Sequence, residues 1–314
     1  MFPPAPFAPG EIYGKGVLLV DAASRILEIV SAIRPIPACG AHVTQLLHEE
    51  DGEPYEVWRV DVGDQRWILK KAKEYEYEIY TSFFSTPCPH VPELLGTATL
   101  DGCHYLLEVF VDGHNLMHCT RPDLKATLDS LIALQDANWG NSERALWGYH
   151  FDKSLEGRIR RGQYLGHPTL DAAYQRFLEA YRAVPRTLCH DDLLPFNVLV
   201  APEGARLIDW EFGGILPYPT SLARLLAHGS EDDTQLFVMQ ESDRQFAIDY
   251  YYTHLISLHG ISYPAYRNTL DLFFFYEYCE WVYVGNRYGN TNSTNYQRYL
   301  PLALRQAEHI LNIQ

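Results

Sequence analysis

Residues 187–212 constrain the fold of this chain more than any other part of its sequence. They read TLCHDDLLPFNVLVAPEGARLIDWEF and place His190, Asp192 and Asn197 in the pattern H-x-D-L-x-x-x-N. Asp209 follows after two short apolar runs that flank a Pro-Glu-Gly turn, which is typical of a small hairpin. This is the spacing of a kinase catalytic loop and of the metal-binding aspartate that comes after it.

Phosphoryl transfer from a nucleotide explains why these residue types occur together. The reaction needs Mg²⁺ held against the phosphates and a carboxylate beside the attacking hydroxyl group. We expect Asp192 to accept the proton of that hydroxyl and His190 to organise the loop, so these two are the candidate catalytic residues. Asn197 and Asp209 supply the oxygen atoms expected to bind Mg²⁺. The alternative is a buried turn in which His190 is a core residue and Asp191 and Asp192 are caps.

A lysine near the end of a predicted strand supplies a second part of such a site. The residues Trp-Ile-Leu-Lys that end at Lys70 have the form of the kinase strand lysine, which pairs with nucleotide phosphates. Because neighbouring side chains of a strand point to opposite faces, Lys71 would lie on the other side of the sheet. The helix that follows offers Glu74, Glu76 and Glu78 as partners for the lysine, and we favour Glu76. The alternative is a solvated pair of lysines at the end of a strand.

The glycine loop of a protein kinase is missing from this sequence. Gly52 is the one glycine between the first two predicted strands, and the segment HEEDGEPY around it contains no G-x-G-x-x-G. A short turn of backbone N–H groups at Gly52 can still cover a phosphate. Gly52 is therefore a candidate contact of the nucleotide.

Hydrophobic patterning predicts an α+β fold with two lobes. A helix over 17–34 precedes alternating residues that predict three antiparallel strands within 43–72. Two further strands are predicted at 93–99 and 104–110, and helices at 73–84, 123–138, 170–181 and within 220–312. We therefore predict a nucleotide-binding lobe over 1–110, built on an antiparallel sheet with one or two helices. A larger helical lobe over 111–314 would carry the catalytic loop and the substrate site.

Composition and charge exclude several classes of partner. The chain has 40 acidic and 25 basic residues and a formal net charge of −15, which disfavours nucleic acid and acidic membrane surfaces. It has no uncharged apolar stretch of about 20 residues, and its first ten residues do not resemble a signal peptide. Its six cysteines are far apart and form no C-x-x-C pair, which argues against a zinc site and a disulfide scaffold. We expect a cytoplasmic protein with reduced thiols.

The segments HDDLLPFN at 190–197 and IDWEF at 208–212 carry a resemblance to a known family. Pro195 lies three residues after the candidate base, where protein kinases have a lysine two residues after it. Trp-Glu, rather than Phe-Gly, follows the candidate metal-binding aspartate. Together with Lys70 and the Leu-Leu-Glu stretch that ends at Glu108, these segments resemble the aminoglycoside phosphotransferase and choline kinase-like family of small-molecule kinases.

The resemblance extends over about residues 43–225 and implies a protein-kinase-like fold, ATP or GTP as the donor, and Mg²⁺. It also implies that Glu108 and Phe110 belong to the hinge that contacts the nucleotide base. Ser221 stands where the family often has the Asp of Asp-Leu-Ala, and we expect it to weaken the bond that this Asp makes. Gln-Asp at 135–136 likewise replaces a frequent Leu-His.

The acidic and aromatic character of the last helices bears on the acceptor. Carboxylates pair with ammonium groups, and aromatic faces attract cations. The candidate acceptor contacts are Glu211, Glu277, Glu280 and Trp281. They suggest a cationic or neutral small molecule, such as an aminoglycoside, an amino sugar or a choline-like compound. The alternative is that the aromatic residues are ordinary helix core.

Two other functions remain open alongside the small-molecule kinase. The missing glycine loop and Ser221 are compatible with a non-catalytic scaffold that binds nucleotide. A metal-dependent phosphohydrolase would use His190, Asp191, Asp192 and Asp209 together with further histidines. The histidines available for that role are His42, His90, His104, His114 and His118, which form no pattern.

Overall fold

The computed structural model describes residues 20–36, 40–47, 52–140, 148–230 and 237–312. The chain divides into two compact units by the proximity of its Cα atoms. The N-terminal unit comprises residues 1–131, 195–212 and 230–239, and the C-terminal unit comprises residues 132–194, 213–229 and 240–314. The lobe boundary at residue 110 stays a prediction, and the first ten residues lie outside the described part.

The helices and strands follow each other in a mixed order along the chain. The first half contains α1 (Val20–Ile33), β1 (Ala41–Leu47), β2 (Pro54–Val62), β3 (Gln65–Ala72), α2 (Glu74–Phe83), β4 (Leu94–Leu100), β5 (Cys103–Val109), β6 (His114–Asn115), α3 (Arg121–Asp136) and α4 (Gly148–Gly162). The second half contains α5 (Pro168–Ala183), β7 (Arg186–Cys189), β8 (Val198–Ala201), β9 (Gly204–Leu207), β10 (Gly214–Pro217), α6 (Pro219–Leu226), β11 (Gly229–Ser230), β12 (Phe237–Val238), α7 (Glu241–His254), α8 (Tyr263–Tyr288) and α9 (Thr294–Asn312).

An antiparallel sheet of five strands forms the centre of the N-terminal unit, as the alternating pattern predicts. Its strand order is β1-β2-β3-β5-β4. Asp101 and Gly102, which connect β4 to β5, both have positive φ angles, of 52° and 74°. Positive φ at both central residues is the geometry of a tight hairpin turn, which explains the Asp-Gly pair there.

The helix α1 covers one face of this sheet. Ile29 and Val30 of α1 are buried in a cluster with Val60, Leu69 and Leu107 from the three central strands. Because side chains alternate along a strand, the neighbours of these residues face the opposite side of the sheet. That opposite side of β3 carries Lys70.

The hairpin predicted after the catalytic loop is present in the N-terminal unit. Strand β8 pairs antiparallel with β9, and Gly204 opens β9 with a φ of 118°. Strand β6 adds to the other edge of β8. The hairpin therefore turns the chain back. The loop before β8 and the Asp209 segment after β9 lie at the same end of the two strands.

The long helix α8 forms the core of the C-terminal unit. Phe177 of α5 stacks on Tyr276 of α8, with ring centroids 4.7 Å apart, and meets Phe273 edge-on at 5.3 Å. Several aromatic residues of α8 are therefore core residues. No helix in the described part of the chain is both long and apolar enough to cross a membrane.

Helix α4 and strands β7 and β10 were not predicted. Helix α4 contains few apolar residues, and Arg158 on its buried side is only 2% exposed. The few apolar residues Phe151, Leu155 and Ile159 recur at helical spacing, but the sequence analysis did not identify them as a helix. Strands β7 and β10 have four residues each, too few for a pattern, and pair antiparallel with each other.

We predict that Gly285→Ala destabilises the packing of α8 against α9. A Cβ atom at Gly285 would lie 2.1 Å from Cδ2 of Tyr296, so the ring must move. The expected loss is about 1–3 kcal/mol in the free energy of unfolding, measured by urea denaturation. The matched control is Gly157→Ala in α4, where the nearest atom to the new Cβ is 3.9 Å away. The control is expected to gain about 0.5–1 kcal/mol, and equal effects of the two changes would contradict the packing.

Candidate active site

Lys70 in the N-terminal unit is held between two carboxylates. Its Nζ atom lies 2.6 Å from Oε1 of Glu76 and 2.6 Å from Oδ1 of Asp209. Burial alone would lower the pKa of Lys70, but Asp209 and Glu76 together raise it, so the lysine stays charged. The structure thus brings together the strand lysine, the favoured glutamate and the aspartate that follows the hairpin.

Lys71, the next residue of β3, takes no part in this cluster. Its ammonium group bonds to Glu56 of the neighbouring strand. Lys70 is paired in register with Leu106 of β5, and Ile68 with Glu108. Strand alternation therefore separates the two lysines and puts Lys70 on the same face of the sheet as Glu108.

Asn197 and Asp209 flank the hairpin of β8 and β9. The backbone N–H of Ile208 donates to the carbonyl oxygen of Asn197 at 3.0 Å, which ties the two ends of the hairpin together. Asp209 has a φ of 63°, a left-handed conformation that is uncommon for a residue other than glycine. Trp210 after it is fully buried and packs edge-on against Phe84, the residue directly after α2. Such strain persists only where the surrounding packing holds the backbone in place.

The oxygen atoms of Asn197 and Asp209 fit Mg²⁺. Magnesium prefers oxygen ligands, takes few of them from protein, and completes its shell with water and phosphate. Within the described ranges, no group of three His, Cys, Asp or Glu side chains could hold a metal ion. The donor set is therefore suited to a magnesium–phosphate complex rather than to a metal centre built from protein ligands alone.

The histidines that a phosphohydrolase would need bond to other groups. His42 lies 3.4 Å from the hydroxyl of Thr44, and His104 lies 3.0 Å from that of Thr99. A third, His90, contacts the hydroxyl of Ser130, and His114 lies near Asp123. His118 lies opposite Val238 in an isolated backbone bridge. These contacts belong to separate parts of the fold.

Glu108 is a buried carboxyl group that faces α2. Its side chain accepts a hydrogen bond from the hydroxyl of Tyr80, and its Oε1 atom has no hydrogen-bond partner among the described residues. Burial raises the pKa of Glu108 to about 7. Burial also raises the pKa of Glu76 to about 7, against the opposing effect of Lys70. Both groups therefore hold their proton more tightly than an exposed glutamate does.

The other residues predicted to contact nucleotide or acceptor in this unit have separate neighbours. Phe110 stacks under the guanidinium group of Arg66 at 4.7 Å. Gly52 is exposed, has a φ of 72°, and leaves nothing within 4 Å of an added Cβ. Glu211 forms an ion pair of 2.5 Å with Lys73 at the start of α2.

Asp192 in the C-terminal unit is bound by an arginine that the sequence analysis did not identify. The Nε and Nη2 atoms of Arg224 donate to Oδ1 of Asp192 at 3.1 and 2.8 Å. The remaining guanidinium nitrogen, Nη1, donates to Oε2 of Glu277 at 2.9 Å. Arg224 thus joins the candidate base to α8.

Glu277 is a charged residue of the interior. It is 3% exposed, and Nε2 of His228 lies 3.3 Å from its carboxylate. Burial acts to raise the pKa of Glu277, but Arg224 and His228 lower it to about 2. Burial lowers the pKa of His228, whose Nδ1 lies 2.9 Å from the hydroxyl of Tyr299. The carboxylate predicted to meet the acceptor is therefore already paired with an arginine.

Trp281 is buried in this unit, and Glu280 is half-buried. Glu280 pairs with Nε of Arg161 at 3.2 Å, and burial raises its pKa. Trp281 stacks on Tyr299 with ring centroids 5.7 Å apart. Oε1 of Glu280 and Nε1 of Trp281 have no hydrogen-bond partner in the part of the chain that the structure describes.

The residues before Asp192 are fixed by contacts to two helices. The backbone N–H of His190 donates to Oγ of Ser221 in α6 at 2.9 Å. Asp191 has a left-handed φ of 55°, and its carboxylate accepts from Nη2 of Arg158 at 2.6 Å. The guanidinium carbon of Arg158 lies 4.6 Å from the ring centroid of Tyr181 and 4.6 Å from that of Tyr276. The serine that replaces the usual aspartate therefore still binds the loop.

Arg158 and Arg224 are the functional candidates that the sequence analysis missed. Arg224 directly follows the Ser-Leu-Ala segment, so its position beside a motif was a visible signal. Arginines on helices are usually exposed, and nothing local distinguishes one that binds a distant carboxylate. Its partner Glu277 is 53 residues away in the sequence.

We predict that Glu108→Gln removes a pH-dependent loss of stability. The pKa of about 7 lies above the ordinary value of 4.5, so the folded protein keeps this proton longer than the unfolded chain. The stabilising contribution of the protonated group is complete below pH 4.5 and is lost as the pH rises through 7. Between pH 5 and 8, the variant should gain about 2 kcal/mol in unfolding free energy relative to the parent protein. The control is Glu93→Gln at an exposed position, and parallel curves for Glu108→Gln and the parent would contradict the assignment.

Comparison with protein families gives one match over most of the chain. The model of the phosphotransferase enzyme family matches residues 44–252. No curated protein sequence matches the chain.

Three solved structures are similar to the chain at low sequence identity. Choline kinase from Cryptosporidium parvum Iowa II is 14% identical with a TM-score of 0.55, over 92% of this chain and 96% of that chain. A putative fructosamine-3-kinase from Haemophilus somnus 129PT is 12% identical with a TM-score of 0.52, over 91% and 97%. A thermostable mutant of aminoglycoside phosphotransferase APH(4)-Ia, in ternary complex with AMP-PNP and hygromycin B, is 15% identical with a TM-score of 0.51, over 93% and 98%.

These similarities confirm the predicted α+β, protein-kinase-like fold. The family match extends over more than half of the sequence and includes the strand lysine, the catalytic loop and the hairpin. The predicted resemblance is therefore confirmed, and the chain belongs to the phosphotransferase enzyme family.

Proposed function

We propose that this phosphotransferase moves the γ-phosphoryl group of a nucleoside triphosphate to a hydroxyl group of a small molecule. The observation that carries the proposal is the Lys70 ammonium group held at 2.6 Å from both Glu76 and Asp209. The similar structures support the substrate classes. Their names describe a choline kinase, a putative fructosamine-3-kinase, and an aminoglycoside phosphotransferase bound to AMP-PNP and hygromycin B.

In this proposal the N-terminal unit binds the donor. Lys70 pairs with the phosphates, and the carboxylate of Glu76 holds the Lys70 side chain in place. The backbone at Gly52 covers the phosphates, and Glu108 and Phe110 contact the base. Since ATP and GTP both carry the same phosphates, the donor base is left to the experiment.

Asn197 and Asp209 would hold Mg²⁺. The bound ion would neutralise charge on the donor phosphates. The chain's own contribution is to keep the two oxygen ligands at the ends of one short hairpin, tied by the Ile208 to Asn197 hydrogen bond. Lys70 keeps Asp209 oriented through its 2.6 Å ion pair.

Asp192 is the proposed base in the C-terminal unit. Its carboxylate accepts the proton of the acceptor hydroxyl group and orients the hydroxyl oxygen for attack. His190 contributes through the backbone, because its N–H group anchors the loop to Ser221. The reaction then leaves the phosphate on the acceptor and releases a nucleoside diphosphate.

The carboxylates predicted to contact the acceptor are already paired with cations of the chain, which bears on the charge of the acceptor. Glu277 and Glu280 pair with arginines, and Glu211 pairs with a lysine. An amine-bearing acceptor must exchange with one of these cations, whereas a neutral polyhydroxyl compound needs no exchange. A panel that includes both classes therefore decides between them.

The experiment is a measurement of ADP and GDP release with Mg²⁺ and each triphosphate across a panel of acceptors. The panel contains aminoglycosides, amino sugars, choline, ethanolamine and neutral sugars. We expect at least one acceptor to raise release well above the rate without acceptor, and Asp192→Ala to lower that increase by about 100-fold to 10,000-fold, leaving a measurable residual rate. Full activity of Asp192→Ala would contradict the proposed base. Nucleotide binding without turnover on any acceptor would instead support the scaffold hypothesis.

We predict that Lys70→Met weakens nucleotide binding and that Lys71→Met does not. The two lysines are neighbours in one strand, but only Lys70 reaches Glu76 and Asp209. A charge-assisted contact to phosphate is worth about 1.5–3 kcal/mol, so the dissociation constant for ATP should rise at least tenfold. Titration calorimetry with each variant measures this. Equal losses for the two variants would contradict the proposed role of Lys70.

A further inference from the structure

Arg224 presents one guanidinium group to two carboxylates on different elements. Two of its nitrogen atoms donate to the same oxygen of Asp192, and the third donates to Glu277. Asp192 belongs to the loop after β7, Arg224 to α6 and Glu277 to α8. The arginine is therefore the physical link between the candidate base and the helical core.

The far end of this link is fixed by buried groups. Glu277 is 3% exposed and His228 is fully buried, and the hydroxyl of Tyr299 in α9 lies 2.9 Å from the histidine. Trp281 meets the ring of His228 edge-on, and stacks on Tyr299. Because these side chains are buried and in contact, they restrict the movement of Glu277 and, through it, of Arg224.

The geometry makes this contact different from a surface ion pair. Nε and Nη2 lie on one edge of the planar guanidinium, so two donors that meet one oxygen restrict where that oxygen can lie. A lysine offers a compact ammonium group without a planar fork, and so cannot restrain both carboxylates in the same way.

We propose that Arg224 is a positioning residue for Asp192, and that Glu277 holds Arg224 rather than contacting the acceptor. The proposal rests on the proposed function, because Arg224 can position a base only if Asp192 is that base. Arg224 orders the carboxylate of Asp192 before the acceptor arrives, so that binding of the acceptor does not have to order it. The arginine touches no reacting atom and acts only through Asp192.

The test is a double-mutant cycle on the full chain, with Arg224→Met, Asp192→Ala and the variant that carries both changes. The rate of ADP release is measured with Mg·ATP and the best acceptor of the panel, or with water as the acceptor if the panel gives none. Arg224→Met should lower kcat about 100-fold, the loss typical of a misplaced catalytic group, with the KM for Mg·ATP unchanged within about twofold. In the Asp192→Ala background the same change should have no further effect, because the residue through which it acts is gone.

The matched control is Arg244→Met in the same unit. Arg244 stacks on Phe274 of α8 at 4.7 Å and donates to the hydroxyl of Tyr278, so it also binds α8. We expect this control to keep the parent kcat. Two milder variants, Arg224→Lys and Glu277→Gln, keep the proposal testable if Arg224→Met does not fold, as judged by its melting transition. Each is expected to lower kcat about tenfold.

The possible failures can be told apart. If Asp192→Ala is as active as the parent protein, the proposed function fails with its base. If Asp192→Ala is strongly impaired while Arg224→Lys and Glu277→Gln keep the full kcat, the positioning role alone is wrong. A loss from Arg224→Met that is equally large in the Asp192→Ala background would also overturn it, because the effect would then be general destabilisation.

Discussion

The ion pairs of Lys70 with Glu76 and Asp209 are the interaction on which the candidate site depends. Glu76 is 1% exposed, and a buried charge without a partner costs several kcal/mol, so this carboxylate depends on the ammonium group of Lys70. The three residues come from β3, α2 and the end of the β8–β9 hairpin. Their convergence ties the sheet, the helix and the segment after the hairpin into one arrangement, and it keeps a cation at the point where an anionic donor would bind.

In the C-terminal unit, arginines rather than a lysine pair with the carboxylates of the candidate site. Arg158 and Arg224 bind the adjacent residues Asp191 and Asp192, and each arginine is held in turn by groups on α8. In a chain with a net charge of −15, these two cations of α4 and α6 pair with carboxylates of the loop. The loop is consequently held from two sides, and the left-handed backbone of Asp191 is kept in place by the side-chain contact.

Local patterns predicted the sheet, the helix after it, the hairpin and the grouping of Lys70 with Glu76. Those features depend on strand alternation, turn residues and short spacings, which a sequence shows directly. The pairing of Glu277 with Arg224 could not be predicted in this way. Acidic and aromatic residues on α8 suggested a cation outside the chain, whereas the structure pairs Glu277 with a cation of the chain itself. That pairing depends on the packing of α6 against α8, and no local pattern of charge reveals which helices meet.

The most direct test of the account is to follow the phosphorus atoms of the donor by ³¹P nuclear magnetic resonance. The protein is incubated with Mg·ATP, or Mg·GTP, and the acceptor that most increases diphosphate release. The account predicts that the γ-phosphate signal is replaced by that of a phosphate monoester on the acceptor, in amount equal to the diphosphate formed. Appearance of inorganic phosphate alone, with the acceptor recovered unchanged, would contradict a phosphotransferase that acts on a small-molecule hydroxyl group.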